Sequence, residues 1–161
     1  MMSKRVRRRA GDILKISLGE GAHSYAQVAE EPLIVFFNGA WTEELPLGRV
    51  IGLPVLFRIW VHNDAVKKGT WPVIGNQPLA PENAAEPCFY KQDTITGRLS
   101  LYHSRFAETG WERPASATDC EGLECAAVWE AEHVEDRLRD HYADQPNRWV
   151  KSLSIDKRAL S

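Results

Sequence analysis

The feature that most constrains the fold is a series of short β-branched and aromatic runs that fills the first two thirds of the chain. Runs that alternate apolar and polar residues predict half-buried strands, and a continuous apolar run predicts a strand buried on both faces. Gly, Pro and Asn separate the runs and predict turns. The predicted strands are 13–18, 25–29, 33–37, 55–61, 71–75, 88–92 and 99–103, the last two flanking a turn at Thr96-Gly97.

The strand predicted at 71–75 has a restricted position in any sheet. Pro72 has no amide hydrogen to donate, so this strand is expected at an edge or at a bulge. The strand at 55–61 precedes it along the chain and is its expected partner, because consecutive strands are commonly neighbours in a sheet.

A clear helical pattern lies near the end of the chain, at 131–142. Val134, Leu138 and Tyr142 recur at a spacing of four residues, which puts them on one face of an α-helix. Pro146 follows the pattern, at a point where the helix is expected to have ended. The sequence therefore predicts one main helix close to the C-terminus.

The stretch 123–129 fits either a strand or a helix, although Val128-Trp129 favours a strand. Together the elements predict an α+β fold that is mainly antiparallel β, as a partly open barrel or a bent sheet, with the helix packed on it. The 161 residues are enough for one ordinary domain, and no repeat or linker divides them. We expect a basic N-terminal tail at 1–10 and a single domain at 11–161.

Charge is balanced in total and uneven along the chain. The formal net charge is −2, from 20 lysines and arginines against 22 aspartates and glutamates. Residues 4–9 carry five basic side chains and no acid, whereas 119–140 carry eight acids against two arginines. A basic run can hold phosphates and an acidic face can steer a basic partner, and each can equally be a solvated surface.

Two sequence properties bear on the compartment. No apolar stretch approaches the roughly 20 residues of a membrane helix, and the basic N-terminus is not followed by the apolar segment of a secretory signal. Three cysteines, an odd number, argue against a disulfide framework and for a reducing compartment. We therefore expect a cytoplasmic protein with no membrane partner.

No motif typical of catalysis or metal binding stands out. Cys120, Cys125 and His133 could supply only part of the four-ligand set of a structural zinc site. Neither a nucleophile elbow nor a glycine loop that would cradle phosphate occurs. We expect no metal, no cofactor and no catalytic residue. An enzyme of unrecognised type would have to depend on His62, His103 or a cysteine.

Two of the six tryptophans fall in segments predicted to be loops. Trp41 stands among Gly, Glu and Pro residues, and Trp111 lies between a glycine and a glutamate. Tryptophan is enriched at protein interfaces, so both are candidates for surface anchors. The alternative, that the two rings cover the core from loops, stays open.

The opening, the middle and a long late segment of the chain resemble the immunity protein 26 family of bacterial polymorphic toxin systems. Together they cover about residues 4–153. The late segment is the most specific, although Ala131 stands where the family is expected to have proline. The resembling segments are Gly11–Leu18, Val61-His62-Asn63, Gly69–Gly75, Pro78-Leu79 and Gly122–Tyr142.

The resemblance implies a non-enzymatic protein that binds and neutralises a cognate toxin made by the same cell or its kin. It brings no known toxin-contacting residues. An acidic helix face would complement a basic, nuclease-type toxin, which we expect to act in the cytoplasm. The predicted partner-binding residues are Glu132, Glu135, Asp136, Asp140, Trp111 and Trp41.

The alternative function is a small nucleic-acid-binding β-barrel that uses the arm Arg7-Arg8-Arg9 to hold phosphates. Nucleic acid is the less favoured partner, because the basic run and the aromatic residues are separated in sequence, whereas nucleic-acid surfaces interleave them. Neither the oligomeric state nor the identity of the toxin follows from the sequence.

Overall fold

A computed structural model describes residues 8–160 of the chain. Within that range the strands are β1 Asp12–Gly19, β2 Ala22–Val28, β3 Leu33–Phe37, β4 Val55–Val61, β5 Val73–Asn76, β6 Phe89–Gln92, β7 Leu99–Tyr102, β8 Glu112–Ala115 and β9 Val128–Trp129. The α-helices of the same range are α1 Leu47–Val50, α2 Asp64–Lys67, α3 Pro81–Ala84, α4 Ala131–Tyr142 and α5 Arg148–Ser152. Short 3-10 helices span Ser104–Thr109, Thr118–Cys120 and Lys157–Leu160. No helix of the described range is long and apolar enough to cross a membrane.

The described chain divides into two compact units. The first, here called the six-stranded unit, comprises residues 8–85 and 128–147. The second, the three-stranded unit, comprises residues 86–127 and 148–160. The six-stranded unit is therefore interrupted in sequence, and its helix α4 follows the interruption.

The sheet of the six-stranded unit has the strand order β5-β1-β2-β3-β4-β9. Its neighbouring strands are antiparallel, except that β9 runs parallel to β4. The sheet does not close into a barrel. The predicted α+β class, with a mainly antiparallel sheet that stays open, is confirmed.

The position of β3 in the middle of this sheet follows from its composition. All five of its residues, Leu33–Phe37, are buried, as expected for a continuous apolar run. It pairs with β2 on one side and β4 on the other, with Ile34 opposite Ile59. The apolar side chains of β3 thus contribute to the core on both faces of the sheet.

Strand β5 lies at a sheet edge, as Pro72 predicted, but its predicted pairing with β4 is wrong. β5 pairs with β1, with Gly75 opposite Ile13. The two sides of β4 are taken by β3 and β9. The chain leaves β4 through α2 before it enters β5. In β5, Gly75 has no side chain and so leaves room for Leu47. A Cβ at position 75 would lie 2.3 Å from Leu47 Cδ1.

Helix α4 begins and ends at the predicted residues. Its buried side chains are Ala131, Val134 and Leu138. The helix is tied to the sheet at its second half, where the Arg139 Nε donates to the carbonyl of Leu18 at 3.0 Å. The preceding stretch forms a strand only at its last two residues, the short β9.

The three-stranded unit contains an antiparallel sheet of order β6-β7-β8. β6 and β7 form the predicted hairpin, with Gln92 opposite Leu99. Strand β8 was not predicted, because its sequence, Glu-Arg-Pro-Ala, has no apolar alternation. The core of this unit is small and centres on Tyr90, Leu99 and Cys120.

Candidate functional site

The acidic residues of α4 lie on two different sides of the helix. Glu132, Asp136 and Asp140 recur at a spacing of four residues on the side away from the buried residues of the helix. Glu132 is exposed and the other two are half-buried. We call these three residues the outer acidic stripe.

Glu135 has a different environment from the outer acidic stripe. Its side chain is only 16% exposed, and its Oε2 accepts a hydrogen bond from Trp71 Nε1 at 3.4 Å. Trp71 itself is buried, so its indole N–H needs an acceptor within the protein. Glu135 therefore supports the core, whatever contact it makes with a partner.

The two arginines of α4 are directed to partners within the six-stranded unit. Arg137 lies over the ring of Phe57, 3.8 Å from its centroid, and 5.1 Å from that of Trp129. Arg139 makes ion pairs with Asp136 at 3.2 Å and with Glu135 at 3.6 Å. Asp136 is thus partly neutralised, and the net charge of the helix surface stays negative.

Acidic side chains outnumber basic ones among the described residues of the six-stranded unit. Its described residues include nine lysines and arginines against fourteen aspartates and glutamates. The described residues of the three-stranded unit have eight of each. Lys4, Arg5 and Arg7 of the sequence offset three of the acids of the six-stranded unit, so any attraction for a basic partner depends on the local negative charge of α4.

Trp41 lies in a loop that the structure brings to the C-terminal end of α4. The Gly39 amide donates to the hydroxyl of Tyr142 at 2.7 Å. Trp41 is half-buried, its backbone exchanges two 2.8 Å hydrogen bonds with His23, and its ring centroid lies 5.7 Å from that of Tyr25. Trp41 therefore covers part of the core from a loop at the C-terminal end of the helix, and the residue is only partly buried there.

Two buried polar residues, His23 and Tyr25, hold this loop through a hydrogen bond. The amide of Leu45 donates to the Tyr25 hydroxyl at 2.9 Å, and that hydroxyl lies 2.8 Å from His23 Nε2. All three groups are satisfied when neutral His23 accepts the hydroxyl proton. Burial, aided by the charge of Lys15, lowers the pKa of His23 and keeps the imidazole neutral.

Trp111 belongs to the three-stranded unit, whereas α4 belongs to the six-stranded unit. Trp111 is 44% exposed and its ring stacks on that of Tyr102, with ring centroids 6.3 Å apart and an interplanar angle of 26°. Its neighbours Arg105 and Phe106 were not among the predicted site residues, because residues 104–109 have no regular apolar pattern. The available signal was local: an arginine directly before an aromatic residue.

One arginine of the basic arm predicted for nucleic-acid binding, Arg8, makes its hydrogen bonds within the protein. The guanidinium of Arg8 donates to the carbonyl of Val61 and to Asn63 Oδ1, both at 2.9 Å, and to the carbonyl of Pro32. Burial lowers the pKa of Arg8. Arg7 lies outside the described residues. Arg8 is thus engaged by carbonyl acceptors of the six-stranded unit rather than available to phosphate.

The histidines considered for catalysis are engaged in local contacts. His62 Nδ1 lies 3.6 Å from Asp64 Oδ2 in an exposed pair. His103 Nδ1 accepts the Arg105 amide at 3.0 Å, so its Nε2 carries the proton and donates to the Glu86 carbonyl at 3.1 Å. This second arrangement caps a 3-10 helix and leaves His103 no free nitrogen to act as a base.

The cysteines are free thiols. Burial is the largest cause that raises the pKa of Cys120 and of Cys125. Both thiols are therefore protonated near neutral pH and are weak nucleophiles. Among residues 8–160, no group of three or more His, Cys, Asp or Glu side chains is arranged to hold a metal ion.

Comparison with known families identifies the chain's relatives. The model of immunity protein 26 matches residues 9–101, more than half of the sequence. The chain belongs to the immunity protein 26 family. No curated protein and no solved structure matches it. In this family member the matched range extends from β1 to β7 and ends before α4, so the outer acidic stripe lies outside it.

Proposed function

We propose that this member of the immunity protein 26 family binds a cognate toxin and neutralises it by covering the toxin's working surface. The observation that carries the proposal is the family match over residues 9–101. Inhibition by occlusion is stoichiometric and requires a preformed complementary surface rather than a catalytic set. We further propose that both proteins act in the cytoplasm.

The proposed toxin-contacting surface is the outer acidic stripe together with Trp41. Three features support it: the carboxylates lie on the side of α4 away from the core, the helix arginines are held by the protein, and Trp41 is carried to the end of the same helix. The aromatic ring would supply an anchor and the carboxylates would supply orientation. Glu135 would lie at the margin of this surface.

The chemistry of this surface favours a basic toxin, such as a nuclease whose substrate groove attracts phosphate. Charge complementarity raises association rates by roughly 10–1000-fold and disfavours wrong partners. Nuclease–immunity protein pairs are among the tightest non-covalent complexes, with Kd values down to about 10⁻¹³–10⁻¹⁶ M. A toxin that attacks nucleic acid in the cytoplasm is therefore the proposed target.

The function is tested by co-expressing the chain with the toxin encoded by the adjacent reading frame. We expect the cells to survive and the two proteins to purify as a complex of fixed stoichiometry, measured by size-exclusion chromatography with light scattering. Death of the co-expressing cells contradicts the proposal, as does protection at amounts of the chain far below those of the toxin.

The surface is tested separately with Glu132→Lys combined with Asp136→Lys. These positions avoid the Trp71 contact of Glu135, so the fold should be retained. We expect the association rate at low salt to fall at least about tenfold and its salt dependence to flatten. The control, Glu108→Lys with Glu121→Lys, makes the same charge change at exposed positions of the three-stranded unit. Equal effects of the two variants would reject this surface and leave the family-based function standing.

A further inference from the structure

The dipeptide Asn38-Gly39, directly after β3, carries a chemistry that the proposed function does not use. Among the five asparagines of the sequence, Asn38 alone is followed by glycine. The side-chain carbonyl carbon of an asparagine can react with the next backbone nitrogen, and a following glycine has no Cβ to hinder their approach. Whether these two atoms meet in the folded protein depends on what holds them.

The side chain of Asn38 is exposed, and it forms no hydrogen bond with the part of the chain that the structure describes. The other asparagines are restrained. They are Asn63, Asn76 and Asn147, whose side chains are hydrogen-bonded, and Asn83, which is buried. Asn38 is therefore the asparagine whose side chain is most free to turn towards its neighbouring backbone.

The backbone around the reacting atoms, in contrast, is held on both sides. The Gly39 amide donates to the Tyr142 hydroxyl at 2.7 Å, and the Gly39 carbonyl accepts the hydroxyl hydrogen of Ser24 at 2.8 Å. The Asn38 amide donates to the carbonyl of Pro54 at 2.8 Å. The nitrogen that would attack the side chain is thus engaged by Tyr142 for as long as that hydrogen bond lasts.

We propose that Asn38 is a site of spontaneous deamidation whose rate is set by the hydrogen bond between Gly39 and Tyr142. When that bond opens, the Gly39 nitrogen attacks Cγ of Asn38 and forms a cyclic imide. The Cγ–Nδ2 bond breaks, and the side-chain nitrogen leaves as ammonia with the proton that Gly39 gives up. Water then opens the imide, giving aspartate by addition at Cγ or isoaspartate by addition at the former main-chain carbonyl. Water is the only co-reactant.

The modification would act on the loop that carries Trp41. Both products add one negative charge, and isoaspartate also places an extra carbon in the main chain directly before Gly39. The Trp41 ring lies where a side chain of Gly39 would stand, 2.1 Å from that Cβ position, so a shift of Gly39 moves the ring. An effect on the toxin-contacting surface rests on the proposed function, whereas the deamidation itself does not.

The test follows the full chain during incubation at pH 7.5. Peptide mass spectrometry detects the replacement of an amide by an acid at each asparagine, and an isoaspartyl methyltransferase assay detects isoaspartate. We expect conversion at Asn38 before any other asparagine. The chain unfolded in urea should convert at least about fivefold faster than the folded chain, which is the factor typical of one hydrogen bond.

Two variants release Gly39 in the folded protein. Tyr142→Phe removes the acceptor of its amide hydrogen, and Ser24→Ala removes the donor to its carbonyl. Each should raise the folded-state rate about fivefold, and the increase should vanish in urea, where neither contact exists. The control is Tyr102→Phe, which removes a hydroxyl from the three-stranded unit and should change the rate less than about twofold.

Circular dichroism establishes that each variant is folded, and Ser24→Ala decides the test if Tyr142→Phe does not fold. The inference is overturned by equal folded-state rates in the parent and in the variants that release Gly39. It is also overturned by earlier conversion at another asparagine, or by an equal acceleration in Tyr102→Phe. A chain that fails to protect cells from the toxin can still deamidate, so the two proposals can fail independently.

Discussion

Trp71 donates its indole hydrogen to Glu135, so one of the four predicted acidic residues of α4 is bound to a buried ring directly beneath the helix. The other three lie along the outer side of the helix. A single amphipathic helix thus combines an acidic residue that completes the core with acidic residues on its outer side. Variants that replace all four acids together would confuse these roles.

Glu135→Ala should lower the free energy of unfolding by about 1–3 kcal/mol, because the buried Trp71 N–H loses its acceptor. Urea unfolding at pH 7.5 measures the change. The matched control is Glu132→Ala, an exposed position on the same helix, which should stay within about 0.5 kcal/mol of the parent protein. Equal stability of the two variants would mean that the Trp71 contact contributes nothing.

Arg8→Gln should also destabilise the protein, by roughly 1–3 kcal/mol, because three acceptors around the guanidinium lose their charged donor. Arg9→Gln is the neighbouring control, since Arg9 is exposed and makes its hydrogen bond to Asp12 through the backbone amide. Thermal unfolding compares the two. If Arg8→Gln were neutral and instead removed salt-dependent nucleic-acid binding, the alternative function would gain support.

Acidification should weaken the fold first through His23. Burial holds the pKa of folded His23 below its ordinary value of about 6.5, so the unfolded chain takes up this proton at a higher pH. The stabilisation is fully present above about pH 6.5 and is lost as the pH falls, by at most about 1.4 kcal/mol per pH unit. Backbone amide donors lower the pKa values of Asp93 and Asp119. The stabilisation from these two carboxylates is therefore lost only below about pH 4.

Urea unfolding at pH 7.5, 6.5 and 5.5 measures this loss, and an NMR titration of the imidazole signals assigns it. His141→Gln serves as the control, because His141 is an exposed histidine outside the hydrogen bonds that join His23, Tyr25 and Leu45. Stability that is constant between pH 7.5 and 5.5 would be incompatible with a buried neutral His23.

Gly39→Ala should destabilise the Trp41 loop. A Cβ at this position would lie 2.1 Å from the Trp41 ring, and the φ of +142° is unfavourable for alanine. We expect a loss of about 1–3 kcal/mol together with a change in tryptophan fluorescence as the ring moves. Gly48→Ala is the control, since nothing lies within 4 Å of its added Cβ and it sits in a helical turn. The contact would be unimportant if both variants unfolded at the parent temperature.

Elements specified by local patterns were predicted from the sequence with their boundaries. Strands 33–37 and 55–61 and the helix 131–142 have the bounds expected from a continuous apolar run, an apolar-rich run and a four-residue period. These patterns are set by which faces are buried, so they are visible in the sequence. The edge position of β5 was likewise readable from Pro72.

Contacts between distant residues could not be predicted in the same way. Strand β5 pairs with β1 and not with the predicted β4, because β3 and β9 occupy the two sides of β4. The role of Glu135 depends on a tryptophan 64 residues earlier. Arg8 likewise reaches carbonyls far along the chain, and a run of arginines gives no sign of which one is buried.

The interruption of the six-stranded unit between residues 85 and 128 sets the order in which it can be completed on the ribosome. After residue 85 emerges, five of its strands can assemble, but the helix that meets Trp71 has yet to be translated. A nascent chain must therefore keep an apolar sheet face uncovered while the whole of residues 86–127 is made. We expect fragments that stop short of α4 to aggregate or recruit chaperones, including any fragment trimmed to the family-matched range.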